Sequence, residues 1–187
     1  MSRKDLSKEI LVREAALLVD QVGWANLSLS ALADRLGVRS PSLYNHVRSL
    51  GDLRRELSLH AAGLLAEMVE DALRGKSGTD GLVAAGHAFR RLARERPGLH
   101  GALIRAPDPD DQAMHDASRR ALAPIFGLLQ GMGIEGDAAI HAIRAIRSAV
   151  LGFTLLESSG GFGLPTDLEA SFEWMIARLV PSSPKLQ

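Results

Sequence analysis

The stretch LSLSALADRLGVRSPSLYNHVRSLGDL, residues 27–53, decides the fold of the N-terminal part of the chain. Ser28 is a favoured N-cap residue, and the helical pattern after it stops at Gly37, a residue suited to a helix C-cap. A second helix start follows, because Ser40 and Pro41 fit an N-cap and a first-turn proline. Two short helices joined by a turn that contains glycine form the helix-turn-helix layout. The spacing predicts these helices over residues 29–36 and 41–47.

The second helix of the pair is predicted to face DNA. Leu43 and Val47 lie four residues apart and can pack inward, which leaves polar and aromatic side chains outside. In a helix-turn-helix such side chains meet base edges in the major groove. The alternative is a plain three-helix packing unit, in which Tyr44 is partly buried and His46 is a surface residue. The predicted DNA-contacting residues are Ser28, Arg39, Ser40, Ser42, Tyr44, Asn45, His46, Arg48 and Arg54.

The whole segment resembles the tetracycline-repressor (TetR) family. The resemblance rests on the Ala33–Val38 core with its Gly37 turn, on the Leu43-Tyr44-x-His46-Val47 helix and on Leu53. It implies a dimer of nine-helix chains whose C-terminal domain binds a small molecule that alters operator affinity. One position departs from the pattern, because many family members have a phosphate-contacting Lys where this chain has Leu50. Arg48 or Arg54 would have to supply that contact.

Composition narrows the remaining classes of function. The chain has 187 residues, no cysteine, and 22 basic against 22 acidic side chains, so disulfides and thiolate-bound zinc are excluded. Residues 1–60 hold 9 Lys/Arg and 7 Asp/Glu, so this part carries a slight positive excess.

There is no signal-like N-terminus and no uninterrupted apolar run of about 18 residues, so we expect a cytoplasmic protein, nucleoid-associated when DNA-bound, with no membrane partner.

Enzymatic activity is not predicted. The sequence shows no Ser/His/Asp arrangement at a recognisable spacing and no nucleotide-binding loop. No two histidines have the i, i+4 spacing of a helical metal pair, so no metal site and no cofactor are predicted.

The rest of the chain is also predicted to be helical, because Ala, Leu, Arg and Glu dominate and period-2 alternation is absent. The predicted fold class is all-α with about nine helices: an N-terminal helix-turn-helix domain over residues 1–52 and a larger helical domain over residues 53–187. The first helix is placed at 6–22 and a long connector at 52–73. Five more are placed near residues 80–96, 98–105, 111–132, 135–159 and 166–180.

The helix near 135–159 is apolar on more than one side, so other helices must pack against it on both sides. One of its faces is built of small residues that allow another helix to approach closely. The resemblance implies that the last two helices form a four-helix dimer interface, and the alternative is ordinary monomer core. The predicted interface residues are Ala145, Ala149, Gly152, Phe153, Phe172, Met175 and Leu179.

Two arginines, Arg144 and Arg147, interrupt the same apolar helix, and an unpaired buried charge is costly. They either make salt bridges, within the chain or to a second subunit, or point into a sensor cavity and meet an acidic or carbonyl-bearing effector. The predicted cavity residues are Leu64, Met68, His87, Phe89, Phe126, Arg144, Arg147 and Thr154.

The function predicted from these features is that of a ligand-responsive transcriptional regulator. It is expected to be a repressor that a small-molecule effector releases from a palindromic operator, although a co-repressor or an activator would have the same sequence features. The alternative is a helical ligand carrier or protein-interaction module whose head no longer binds DNA.

Overall fold

The computed structural model describes residues 6–180, and over these residues the chain is all-helical, with no strand. The nine predicted helices are present, and a 3-10 turn at Trp24–Asn26 is added to them. The third predicted helix is a 3-10 helix, Ser40–Asn45, which we call the recognition segment. The α-helices are α1 (Lys8–Val22), α2 (Leu29–Leu36), α3 (Leu50–Ala72), α4 (Gly78–Glu95), α5 (Pro97–Gly101), α6 (Gln112–Gly131), α7 (Gly136–Ser158) and α8 (Leu168–Leu179).

Side-chain caps set where several helices begin. The Ser28 hydroxyl accepts a hydrogen bond from the Ala31 amide at 3.2 Å, as the sequence predicted for the start of α2. Gly37 ends α2 in the left-handed conformation, with φ of 65°. The carboxylate of Asp167 caps α8 in the same way as Ser28 caps α2, so α8 begins two residues later than the predicted Thr166.

The chain forms two compact units. Of the described residues, unit 1 holds those up to Leu64 together with Glu95–Ala117, and unit 2 holds Leu65–Arg94 together with those from Ser118 onward. The predicted division after residue 52 is therefore not the division between compact units. The first part of α3 belongs to the N-terminal unit, and so does a segment from the second half of the chain.

Unit 1 is built around one apolar cluster. Leucines from the helix-turn-helix, from α3 and from α5 are fully buried in it. Each such side chain contributes about 1.5–3 kcal/mol relative to an exposed one. These buried leucines are Leu11, Leu32, Leu43, Leu53, Leu57 and Leu99.

Helix α5 lies directly on the backbone of α1. A Cβ atom on Gly98 would stand 1.9 Å from the carbonyl oxygen of Val19, so only glycine allows this approach. The carboxylate of Asp20 accepts hydrogen bonds from the Leu99 amide at 3.0 Å and from the Arg96 guanidinium. This contact explains why residues 95–117 pack with the N-terminal helices.

Unit 2 is organised around a buried arginine. Arg90 on α4 is only 3% exposed, and its guanidinium donates to Glu157 on α7 at 2.9 and 2.6 Å and to Glu169 on α8 at 2.6 Å. The guanidinium also stacks 4.7 Å from the ring centre of Phe172 and 5.3 Å from that of Phe153. Hydrogen bonds from Arg90 lower the pKa of Glu157, which keeps this carboxylate ionised. Since breaking a buried pair leaves an uncompensated charge, the cluster fixes the mutual positions of three helices.

Helix α7 is the one helix within residues 6–180 that is long and apolar enough to cross a bilayer, by length and composition alone. Core helices of soluble proteins pass the same test. Its most apolar stretch of 18 residues is only 28% buried, so residues 6–180 leave much of this helix uncovered.

We predict that Gly98→Ala destabilises unit 1, because the new methyl group collides with the backbone of α1 rather than with a movable side chain. The expected loss is about 1–3 kcal/mol, the usual cost of overpacking. For a unit of this size, each kcal/mol lowers Tm by roughly 4–8 °C, which calorimetry resolves.

The matched control is Gly63→Ala, a helical glycine of α3 whose added Cβ meets nothing within 4 Å. It should leave Tm unchanged or raise it slightly, since alanine favours the helix. Equal Tm values for Gly98→Ala and the wild type would contradict the close approach of α5 to α1.

Candidate nucleic-acid interface

The recognition segment exposes one face and anchors the other. Leu43 and Val47 are almost completely buried in the unit 1 core, whereas Tyr44 is 57% exposed and Asn45 is exposed beside it. The amides of His46 and Val47 both bond to the carbonyl oxygen of Leu43, at 2.9 and 3.0 Å, and so close the segment. A tyrosine ring and a side-chain amide therefore project from a rigid support.

The expectation that Ser42 faces DNA is wrong for this structure. Ser42 is 7% exposed, and its amide closes a turn by donating to the carbonyl oxygen of Arg39 at 2.8 Å. Ser40 and His46 are half-buried at the two ends.

Two exposed arginines flank the recognition segment. Within residues 6–180, neither Arg39 nor Arg48 has an ion-pair partner. Arg35, in contrast, bonds to Glu14 at 3.1 Å, and Arg55 bonds to Asp111 at 2.7 Å. Unpaired guanidinium groups on both sides of an exposed aromatic residue suit contacts with two stretches of phosphate.

The side chain of Arg54 contacts Trp24 within unit 1. Its guanidinium donates to the carbonyl oxygen of Trp24 at 3.3 Å and lies 5.8 Å from the centre of that indole ring. In this conformation Arg54 is therefore turned to Trp24 and not to a phosphate, and the contact from Arg48 stays a prediction. Leu50 itself packs against the unit 1 core.

The start of α3 uses a reciprocal cap that the sequence analysis missed. The amide of Asp52 donates to the Ser49 hydroxyl at 3.1 Å, and the Asp52 carboxylate accepts from the Arg48 amide at 2.9 Å. A Ser-x-x-Asp spacing is the signal that would have predicted it. The cap holds the backbone of Arg48 while leaving its guanidinium exposed.

Comparisons with known proteins identify the family of the chain. Residues 82–179 match the family model described as "Tetracyclin repressor-like, C-terminal domain". The chain is 37% identical to the HTH-type transcriptional regulator Rv0681 of Mycobacterium tuberculosis, over 93% of this chain and 80% of that protein. The chain belongs to the tetracycline-repressor family. It is also 31% identical to the HTH-type transcriptional regulator YobS of Bacillus subtilis, over 93% of this chain and 91% of that protein.

The TetR fold is seen as well in a solved structure, a TetR variant of Acinetobacter baumannii in complex with minocycline. It has a TM-score of 0.66 and 24% identity, with 94% of both chains covered. Membership of this family makes the chain a helix-turn-helix transcriptional regulator and not an enzyme.

The predicted sensor residues do not gather in one place. Phe89 and Arg147 line a small cavity in unit 2 of about 30 Å³, together with apolar side chains of α6 and α7. Leu64 instead packs against the unit 1 core, so the expectation that it lines a sensor cavity in unit 2 is wrong. The other predicted residues lie outside the lining of this cavity: Met68 is half-buried, Thr154 is buried, Phe126 and Arg144 are exposed, and His87 contacts α8.

The predicted dimer residues divide into two groups. Phe153 and Phe172 are buried beside Arg90 within one chain, so their assignment to an interface is wrong, and they are monomer core. The other five keep accessible surface. Ala145 is exposed, and Ala149, Gly152, Met175 and Leu179 are half-buried.

We predict that Arg48→Ala weakens binding to duplex DNA of random sequence and lowers its salt dependence. Loss of one phosphate contact reduces the slope of log K against log salt concentration by about 0.9. Fluorescence anisotropy over a salt series measures both quantities.

Arg13→Ala is the matched control, because Arg13 is an exposed arginine of α1 that lies 3.8 Å from Glu14. It should keep the wild-type slope. If both variants shifted the slope equally, Arg48 would have no particular place at the interface.

Proposed function

We propose that this TetR-family regulator is a cytoplasmic homodimer that binds a palindromic operator and is released from it by a small-molecule effector. The helix-turn-helix of unit 1 supplies the DNA-binding role, and unit 2 supplies dimerisation and sensing. The observation that carries the proposal is the exposed pair Tyr44 and Asn45, which stands between the unpaired arginines Arg39 and Arg48.

The chemistry of these groups assigns their roles on DNA. The Asn45 amide offers a donor and an acceptor, which suits an adenine edge, and the Tyr44 ring suits a thymine methyl group or a phosphate. Arg39 and Arg48 bind phosphates on either side and so fix the register of the segment. The amino end of α2, capped by Ser28, offers backbone amides to a further phosphate.

The dimer is proposed from the uncovered apolar surface of α7 and α8. Leu155 on α7 is 64% exposed and Trp174 on α8 is 61% exposed, and together with the low burial of α7 they leave apolar surface that a partner can cover. Small residues on α7 such as Ala145 and Gly152 allow a partner helix to approach closely. Exposed Arg144 and Arg147 on the same helix make a bilayer an unfavourable alternative cover.

A homodimer also fits the geometry of operator recognition. Two helix-turn-helix units bind successive half-sites whose centres are about 34–36 Å apart, so the twofold symmetry of the protein is mirrored in the DNA. A single recognition segment of six residues reads too few bases to select one site in a genome.

The effector site is proposed at the unit 2 cavity lined by Phe89, Arg147 and Val150. Its volume of about 30 Å³ holds a water molecule, whereas ligand pockets usually measure roughly 300–1,000 Å³. An effector must therefore displace α4, α6 or α7 to enter. Such displacement provides the difference in affinity between two conformations that regulation requires. The apolar walls of the cavity favour an apolar effector.

We predict that Leu155→Glu converts the dimer to a monomer and weakens binding to duplex DNA at least tenfold. The reason is that a carboxylate placed in the apolar interface loses its hydration without gaining a partner. Sedimentation velocity measures the assembly state, and anisotropy measures DNA affinity on the same samples.

Leu164→Glu serves as the control, because Leu164 is 83% exposed in the loop before α8 and lies outside the proposed interface. It should remain a dimer with wild-type affinity. A wild-type protein that sediments as a monomer at micromolar concentration, or a Leu155→Glu variant that stays dimeric, would exclude this interface.

A further inference from the structure

The side chain of Arg54 joins α3 to the turn that precedes α2, within unit 1. Its guanidinium donates a hydrogen bond to the carbonyl oxygen of Trp24 at 3.3 Å and lies 5.8 Å from the centre of the Trp24 indole ring. The two residues are 30 positions apart in the sequence, so the contact brings two separate segments together. Arg54 therefore holds the backbone of the turn as well as its aromatic side chain.

The turn Trp24–Asn26 has little burial of its own. Trp24 is half-buried, and the other two residues are exposed. The Asn26 amide donates to the carbonyl oxygen of Gly23 at 3.2 Å, and its side-chain amide donates to that of Val22 at 2.9 Å. These bonds are local to α1 and the turn, so they do not by themselves place the turn against the rest of unit 1.

The turn leads directly into the amino end of α2. Leu27 is buried in the unit 1 core, and the Ser28 hydroxyl then caps α2 by accepting from the Ala31 amide at 3.2 Å. Leu27 anchors the chain after the turn and Arg54 anchors it at the start of the turn. Together they set the direction of the first amides of α2, which are the groups proposed above to bind a phosphate.

The contact of Arg54 is not the one that stability alone favours. Its Nε atom is buried and has no hydrogen-bond partner among residues 6–180. A buried donor without a partner is costly, and an apolar side chain at the same place avoids that cost. The position of this guanidinium therefore lowers stability, and a role in folding alone does not account for it.

We propose that Arg54 is a positioning residue for DNA binding. By holding the carbonyl group of Trp24, it sets the path of the chain into Ser28 and aims the first amides of α2 at a phosphate, without touching DNA itself. This role rests on the proposed DNA-binding function. It differs from the role that the sequence analysis gave Arg54, which was a direct contact with DNA.

The test compares the wild type with Arg54→Met, which keeps an unbranched side chain and removes every donor. Hydrogen exchange, measured by NMR without DNA, should become roughly tenfold faster at the amides of Asn26 and Ala31, because the turn and the cap open more often. Exchange in the middle of α1 should not change. The Tm should be unchanged or higher, because the buried donor has been removed.

Binding of Arg54→Met to duplex DNA of random sequence should weaken roughly tenfold, the effect of losing one hydrogen bond to a charged group. The slope of log K against log salt concentration should keep its wild-type value, because the amides of α2 carry no charge and release no counterions. Arg13→Met is the matched control, since it removes the same charge from an exposed position of α1. Its exchange rates and affinity should equal those of the wild type.

Arg54→Lys keeps a positive charge and a donor near the indole ring, so it should restore slow exchange and DNA affinity. Unchanged exchange in Arg54→Met, or fast exchange in Arg54→Lys, would overturn the proposal. A slope reduced by about 0.9 in Arg54→Met would also contradict it, since Arg54 would then contact a phosphate directly. A wild type that binds no duplex DNA would exclude the proposed function together with this role, whereas the other three results exclude only the role of Arg54.

Discussion

The surface that we propose to face DNA depends on the burial of two side chains, Leu43 and Val47. A six-residue 3-10 segment is too short to hold its shape in water, because its few hydrogen bonds do not offset the entropy of ordering the chain. Insertion of Leu43 and Val47 into the unit 1 core supplies the missing stability. It also fixes the direction of Tyr44, which lies between them in sequence and points outward. The proposed recognition surface therefore rests on a hydrophobic contact that does not itself touch DNA.

Local rules predicted the parts of the fold that depend on neighbouring residues. Ser28 and Gly37 bound α2 as their capping chemistry predicts, and the outward face of Tyr44 follows from its place beside two buried anchors. The position of Ser42 was missed: helical spacing places it on the outer side of its helix, whereas it is buried in the 3-10 segment.

Other predictions from the sequence failed because they depend on contacts between segments that are distant in the sequence. Nothing near Gly98 in sequence indicates that its backbone will meet that of Val19, so the boundary predicted after residue 52 missed the packing of α5 onto α1. In the sequence, Phe153 and Phe172 lie on the apolar faces of the last two helices and were therefore predicted to be interface residues. Their contact with Arg90, from a third helix, makes them core.

Helix α7 has an inner side that Arg90 holds in unit 2 and an outer side that is exposed. The inner side of α7 is held to α4 and α8 by the ion pair of Arg90 with Glu157, whose lowered pKa keeps it charged at neutral pH. The outer side retains exposed leucines such as Leu155. A rigid inner attachment with an apolar outer surface is what a dimer interface requires, since a partner can then bind without reorganising the monomer.

The most direct test of the account is selection of binding sequences from random duplex DNA by the full chain. The account predicts enrichment of an inverted repeat with half-site centres about one helical turn apart. The enrichment should disappear in a folded Tyr44→Ala variant and persist in Phe126→Ala, which removes an exposed aromatic ring from unit 2. Failure to enrich any sequence, or the same enrichment by Tyr44→Ala, would contradict the assignment of the recognition segment.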